Sequence, residues 1–138
     1  MESINNILQR AESSKSLTQL LKEYKAESVT VHLEDLVGGA LSFYSSALIR
    51  RVGGVHIFVA EDRDAAAYML NDFYALLDES LIHFFPTSYK KSILYGKEDA
   101  QGVVQRTNTL NAIRHREGDY LVVCTYPDAI TEKIVAEE

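Results

Sequence analysis

Four short runs of β-branched, aromatic and aliphatic residues recur along this chain, separated by stretches with helical spacing, and that alternation constrains the fold most. The runs are Val29-Thr30-Val31-His32-Leu33, Val55-His56-Ile57-Phe58-Val59-Ala60, Leu81-Ile82-His83-Phe84-Phe85 and Tyr120-Leu121-Val122-Val123-Cys124-Thr125. The first alternates with period two, as a half-buried strand does. The second is nearly continuous in apolar residues, as expected of a parallel strand covered on both faces. Between the runs, residues fall on single helical faces: Leu41, Tyr44, Ala47, Leu48 and Arg51; then Ala66, Met69, Leu70, Phe73, Leu76 and Leu77; then Val103, Arg106, Leu110 and Ile113 along one side. Asp62 stands where an N-cap is needed, Pro86 ends the third run, and Pro127 opens a last helix containing Ala129, Ile130 and Ile134. The order β-α-β-α-β-α-β-α predicts a parallel sheet with right-handed crossovers and helices on its faces.

Upstream, Ile4, Ile7 and Leu8 form one helical face and Leu17, Leu20, Leu21 and Tyr24 another, with Ser13, Ser14 and Ser16 offering cap oxygens between them. Residues 1–27 therefore read as a helical segment and 28–138 as the α/β domain. Residues 87–101 lack a period and read as a long ordered loop.

The 138 residues suffice for one domain with a substantial core, and 46% apolar with 25% charged residues is ordinary for a globular protein. A net charge of −6 opposes strong binding to a phosphate backbone. The single cysteine, Cys124, precludes an internal disulfide and a cysteine-based zinc site, and its apolar surroundings predict a buried inert thiol. No apolar run approaches a membrane span, and the first residues lack the pattern of a secretory leader, so the expected location is the cytoplasm.

Ligands in parallel sheets bind outside the carboxyl ends of the strands, and there the chain has Asp35-Leu36-Val37-Gly38-Gly39-Ala40-Leu41-Ser42. This is the position of a phosphate-binding loop without its chemistry. Such a loop needs glycines to curl its amides around phosphate, a lysine for the β/γ oxygens, and a Ser/Thr hydroxyl for Mg²⁺. With Ser42 as the hydroxyl, Leu41 replaces the lysine, Ala40 the last glycine and Asp35 the first. The strand ending Val123-Cys124-Thr125 also lacks the tip carboxylate that organises metal and water. Asp78-Glu79 precedes a strand and reads as a solvated helix end. His83 reads as a satisfied core residue. The expectation is a degenerate loop of Asp35, Gly38, Gly39, Ala40, Leu41 and Ser42, with no catalytic residue, cofactor or metal. A nucleotide-binding alternative would need a pocket lined by Asp35, Ser42 and Thr125.

Gly38-Gly39-Ala40, the series Glu61-Asp62-Arg63-Asp64-Ala65 after the second run, Phe85-Pro86, Arg106 with Leu110, and Val122-Val123-Cys124-Thr125 continuing to Ala129-Ile130 resemble the N-terminal region of bacterial transcription-repair coupling factors (Mfd). That region is itself similar to the first helicase domain of the excision-repair protein UvrB. The likeness runs in order over about residues 28–135, with Asp35 and Gly39 departing from the family's glycine and serine. It implies a RecA-like domain without ATPase activity, belonging to a much larger DNA translocase that displaces stalled RNA polymerase and recruits UvrA. The expected partners of this piece are neighbouring domains of the full protein; UvrA is contacted mainly by the following domain, and DNA and polymerase by the whole. The other readings are a small nucleotide-binding α/β protein and a stand-alone interaction domain.

Overall fold

A computed structural model describes residues 3–24, 28–89 and 99–134. The elements are α1 (Ile4–Glu12), α2 (Lys15–Tyr24), α3 (Ala40–Val52), β1 (Gly54–Val59), α4 (Arg63–Leu76), β2 (Ile82–Phe85), α5 (Ala100–Arg114), β3 (Tyr120–Thr125) and α6 (Pro127–Thr131). Among the described residues the sheet has three parallel strands in the order β1-β3-β2. It is an α/β fold with helices on both faces.

The helix starts follow local chemistry. The carboxylate of Asp62 accepts from the Ala65 amide at 2.8 Å, and Ser14 Oγ accepts from the Leu17 amide at 3.2 Å, so the serine break before α2 is a cap. Pro127 opens α6, where a missing N–H costs nothing.

Register sorts the side chains. Val55, Ile57 and Val59 share a sheet face with Leu121, Val123, His83 and Phe85; His56 and Phe58 share the other with Val122, Cys124, Ile82 and Phe84. On the second face Phe73 of α4 and Ile49 of α3 complete a cluster with Ile82, Val122 and Cys124. On the first, α5 packs over β2 and β3, and Phe85, Leu121, Val123 and Ala129 are buried. The helical pair α1 and α2 packs on the outside of α3, where Ala11, Leu17 and Ala47 are buried together. Arg50 Nε lies 3.0 Å from Glu12 Oε1 across that contact.

Three expectations need correction. Residues 29–33 are not a strand: they belong to no ladder, and Val29 and Leu33 are exposed. Alternation records a propensity for a half-buried pleated surface, whereas a strand also requires a neighbour to pair with. Of the expected row on α5, Arg106 is buried and Leu110 packs against the core, but Val103 and Ile113 are exposed, and the buried side is completed by Gly102 and Thr109. Close approach decides this face: a Cβ on Gly102 would lie 2.4 Å from the Thr87 carbonyl oxygen, so only glycine brings α5 against the tip of β2. Asp78-Glu79 does not end a helix; Asp78 caps a 3₁₀ turn at Glu79–Leu81, accepting from the amide and hydroxyl of Ser80, which holds its carboxyl below the usual range. Of the expected loop at 87–101, residues 90–98 lie outside the described residues.

Candidate functional site

The glycine turn leads into α3 as expected, but it follows an unpaired segment instead of a strand tip. Asp35 and Gly38 both take positive φ, 60° and 59°, and Gly39 is the N-cap residue of α3 without a side-chain cap. Asp35 is exposed, and Leu41 is at the exposed boundary. Ser42 is buried, and its hydroxyl donates to Asp72 Oδ2 on α4 at 2.8 Å. One oxygen of the presumed phosphate loop is thus tied into helix–helix packing. Ser46 continues the contact by donating to the Ser42 carbonyl at 2.7 Å.

The carboxyl ends of all three strands converge elsewhere, on a cleft of about 230 Å³ lined by Glu61, Asp62, Arg63, Thr87, Tyr89, Tyr126, Pro127 and Asp128. Its polar groups largely serve the protein itself. Asp62 caps α4, the Thr87 amide donates to Tyr126 Oη at 3.0 Å, and Thr87 Oγ1 donates to the Tyr89 carbonyl at 2.9 Å. Arg63 sits 4.0 Å from Asp99. Three carboxylates and one arginine make this a poor receptor for a phosphate chain, since anion sites need surplus positive charge or free amides. Among the described residues no group of three or more His, Cys, Asp or Glu is arranged to hold a metal ion.

Behind the cleft lies a clamp. Arg106 is buried, with Nη1 donating to the carbonyls of Pro86 at 2.8 Å and Ala129 at 3.0 Å, and Nη2 to that of Glu132 at 3.3 Å. Its guanidinium stacks 4.1 Å from the centre of the Phe85 ring, and Nε is 3.7 Å from the Glu132 carboxylate. Glu132 in turn accepts from the Ser88 amide at 2.9 Å and from the Ser88 hydroxyl. A planar fork with five donors suits this task, joining the end of β2 to α6. Thr125 Oγ1 donates to the Phe85 carbonyl at 2.8 Å, closing the same strand tips.

The sequence marked Arg106 as part of a motif, but nothing in it marked Ser88, Tyr126 or Glu132, whose partners are 39–44 residues away in the chain. Of the residues a nucleotide pocket would use, Ser42 and Thr125 each donate their hydroxyl within the fold, to Asp72 and to the Phe85 carbonyl respectively. Cys124 is fully buried, and burial pushes its thiol up to about 12, far from a nucleophile's range. His83 is half-buried; burial lowers its pKa. No protein-family model matches the chain, and no curated protein matches it. Among the described residues no helix is long and apolar enough to cross a membrane.

Proposed function

We propose that this chain is a non-catalytic α/β module that acts as a structural platform, and that it is the RecA-like N-terminal subdomain of a transcription-repair coupling factor. The observation that carries the non-catalytic reading is the hydrogen bond from the buried Ser42 hydroxyl to Asp72, next to a leucine at the position a phosphate-binding lysine would need. Phosphoryl chemistry rests on electrostatic positioning, so a hydroxyl held by a carboxylate and an apolar neighbour together remove its basis. The acidic lining of the strand-tip cleft supports the same reading. The coupling-factor identity rests on the ordered motif series alone, and it assigns this module a scaffolding role for neighbouring domains, with UvrA, RNA polymerase and DNA engaged elsewhere in the full protein.

Two experiments test the two halves separately. The variant Leu41→Lys should show no ATP hydrolysis above background, because Asp35, Asp72 and the missing strand-tip acid remain; measurable turnover would overturn the non-catalytic reading. For the identity, the reading frame of the gene should continue past Glu138 into a UvrA-contacting domain and a motor. A stop codon directly after Glu138 would overturn it.

A further inference from the structure

We propose that the cleft between the ends of α2 and α3 is a docking site for a segment of another protein that carries a single carboxylate beside an apolar side chain. The cleft, about 790 Å³, is lined by Leu21, Lys22 and Tyr24 of α2 and by Arg50, Arg51 and Val52 of α3. Both helices end there on basic residues, Lys22 in the last turn of α2 and Arg50 and Arg51 in that of α3.

Three cations exceed what the fold itself uses. Arg50 Nε lies 3.0 Å from Glu12, and Nη1 donates to Asn5 Oδ1 at 3.4 Å. Each helix C-terminus presents about half a negative charge, so the two ends offset roughly one further cation. Lys22 and Arg51 are exposed and have no ion-pair partner among the described residues. About one positive charge is therefore left facing the cleft. Around it the walls are apolar. Tyr24 and Val52 are 39% and 37% exposed, and the half-buried Leu21 rests on the Ala11–Leu17–Ala47 cluster, so its place is fixed by the packing that seats α1 and α2 on α3.

A surplus of one charge selects the occupant. A phosphate backbone brings a dense row of negative charges, and a chain of net charge −6 repels those beyond the one that the cleft can meet. Two copies of the whole chain repel each other for the same reason. A short segment with one carboxylate and a neighbouring aliphatic side chain matches both properties of the cleft. The carboxylate reaches the Arg51 guanidinium or the Lys22 ammonium, and the aliphatic group covers Leu21 and Val52. This surface depends neither on the coupling-factor identity nor on the absence of nucleotide binding.

Amide NMR of the full chain, titrated with a short peptide of alternating leucine and glutamate, tests the site. Saturable shifts should centre on Leu21, Lys22, Tyr24, Arg51 and Val52, with affinity falling about tenfold or less across a tenfold rise in salt, as one ion pair requires. The double variant Lys22→Glu, Arg51→Glu should weaken binding at least tenfold, whereas Lys133→Glu, beside α5 on the opposite face of the sheet, should not. Should the double reversal disturb the β3 amides, Arg51→Gln alone must still weaken binding severalfold. Exchanging the peptide's glutamates for lysine, or its leucines for serine, should abolish the shifts. Absence of a saturable shift up to millimolar peptide overturns the proposal, as does binding that survives the reversals. Single-stranded DNA that saturates the same amides with a steep salt dependence, or shifts that grow with protein concentration alone, would also overturn it by giving the cleft to a nucleic acid or to a second copy.

Discussion

Arg106 ties several parts of the fold together, because one buried guanidinium satisfies three carbonyls and stacks on Phe85. Replacing it with alanine strands those acceptors and the Glu132 carboxylate, which should cost about 3 kcal/mol in urea unfolding. Lysine should recover only a minor part, since a point charge cannot reproduce the fork. Ser42→Ala should cost much less, about 1 kcal/mol, because Asp72 is exposed and water replaces the lost donor. Two histidines contribute to the loss of stability in acid. Burial lowers the pKa of His56, only partly offset by its 2.7 Å hydrogen bond to the Gly53 carbonyl, and burial also lowers that of His83. A carbonyl can only accept, so Nε2 of His56 carries the proton. The unfolded chain takes up protons first as pH falls, so this stability is complete above the unfolded value of about 6.5 and is lost as pH drops below it. The urea midpoint should therefore fall between about pH 7 and pH 5, and less steeply in His83→Gln, which removes one of the two contributions.

Among the elements, β1, β2, β3 and α4 were legible because local pattern and tertiary burial agree there. Phe73 and Ala66 lie on the apolar stripe and are fully buried. Residues 29–33 carry a strand's alternation without a ladder, and the difference lies in a pairing that no local pattern encodes. The inner face of α5 is only partly legible for a different reason: Arg106 and Leu110 lie on the expected row, but Gly102 and Thr109, buried beside them, do not register as apolar. Gly102→Ala tests that assignment. A Cβ 2.4 Å from a carbonyl oxygen must push α5 off the tip of β2, with a cost of about 2–3 kcal/mol in the urea transition. The helices α1 and α2 were legible as elements, but their seat on α3 was not. Leu8 is completely buried, and Leu8→Ala should cost about 3 kcal/mol if that seat is part of the cooperative fold. A separate early transition in that variant would instead mark the pair as an independent unit.

At the scale of the whole molecule, several polar groups at the carboxyl ends of the strands are turned inward among the described residues. Where a ligand-binding α/β protein leaves amides and hydroxyls free at the strand tips, this one ties Thr87 to Tyr126, Thr125 to Phe85 and Ser88 to Glu132, and away from the tips it ties Ser42 to Asp72. The degenerate loop was readable from the sequence because the missing lysine is a matter of residue identity. The commitment of Ser42 was not, because Asp72 lies 30 positions further on in the chain. A net charge of −6 and an acidic cleft act in the same direction, against polyphosphate. The most direct test is isothermal titration of the full chain with Mg-ATP. The non-catalytic platform predicts no saturable heat up to millimolar nucleotide, and a single-site isotherm with micromolar affinity would contradict it.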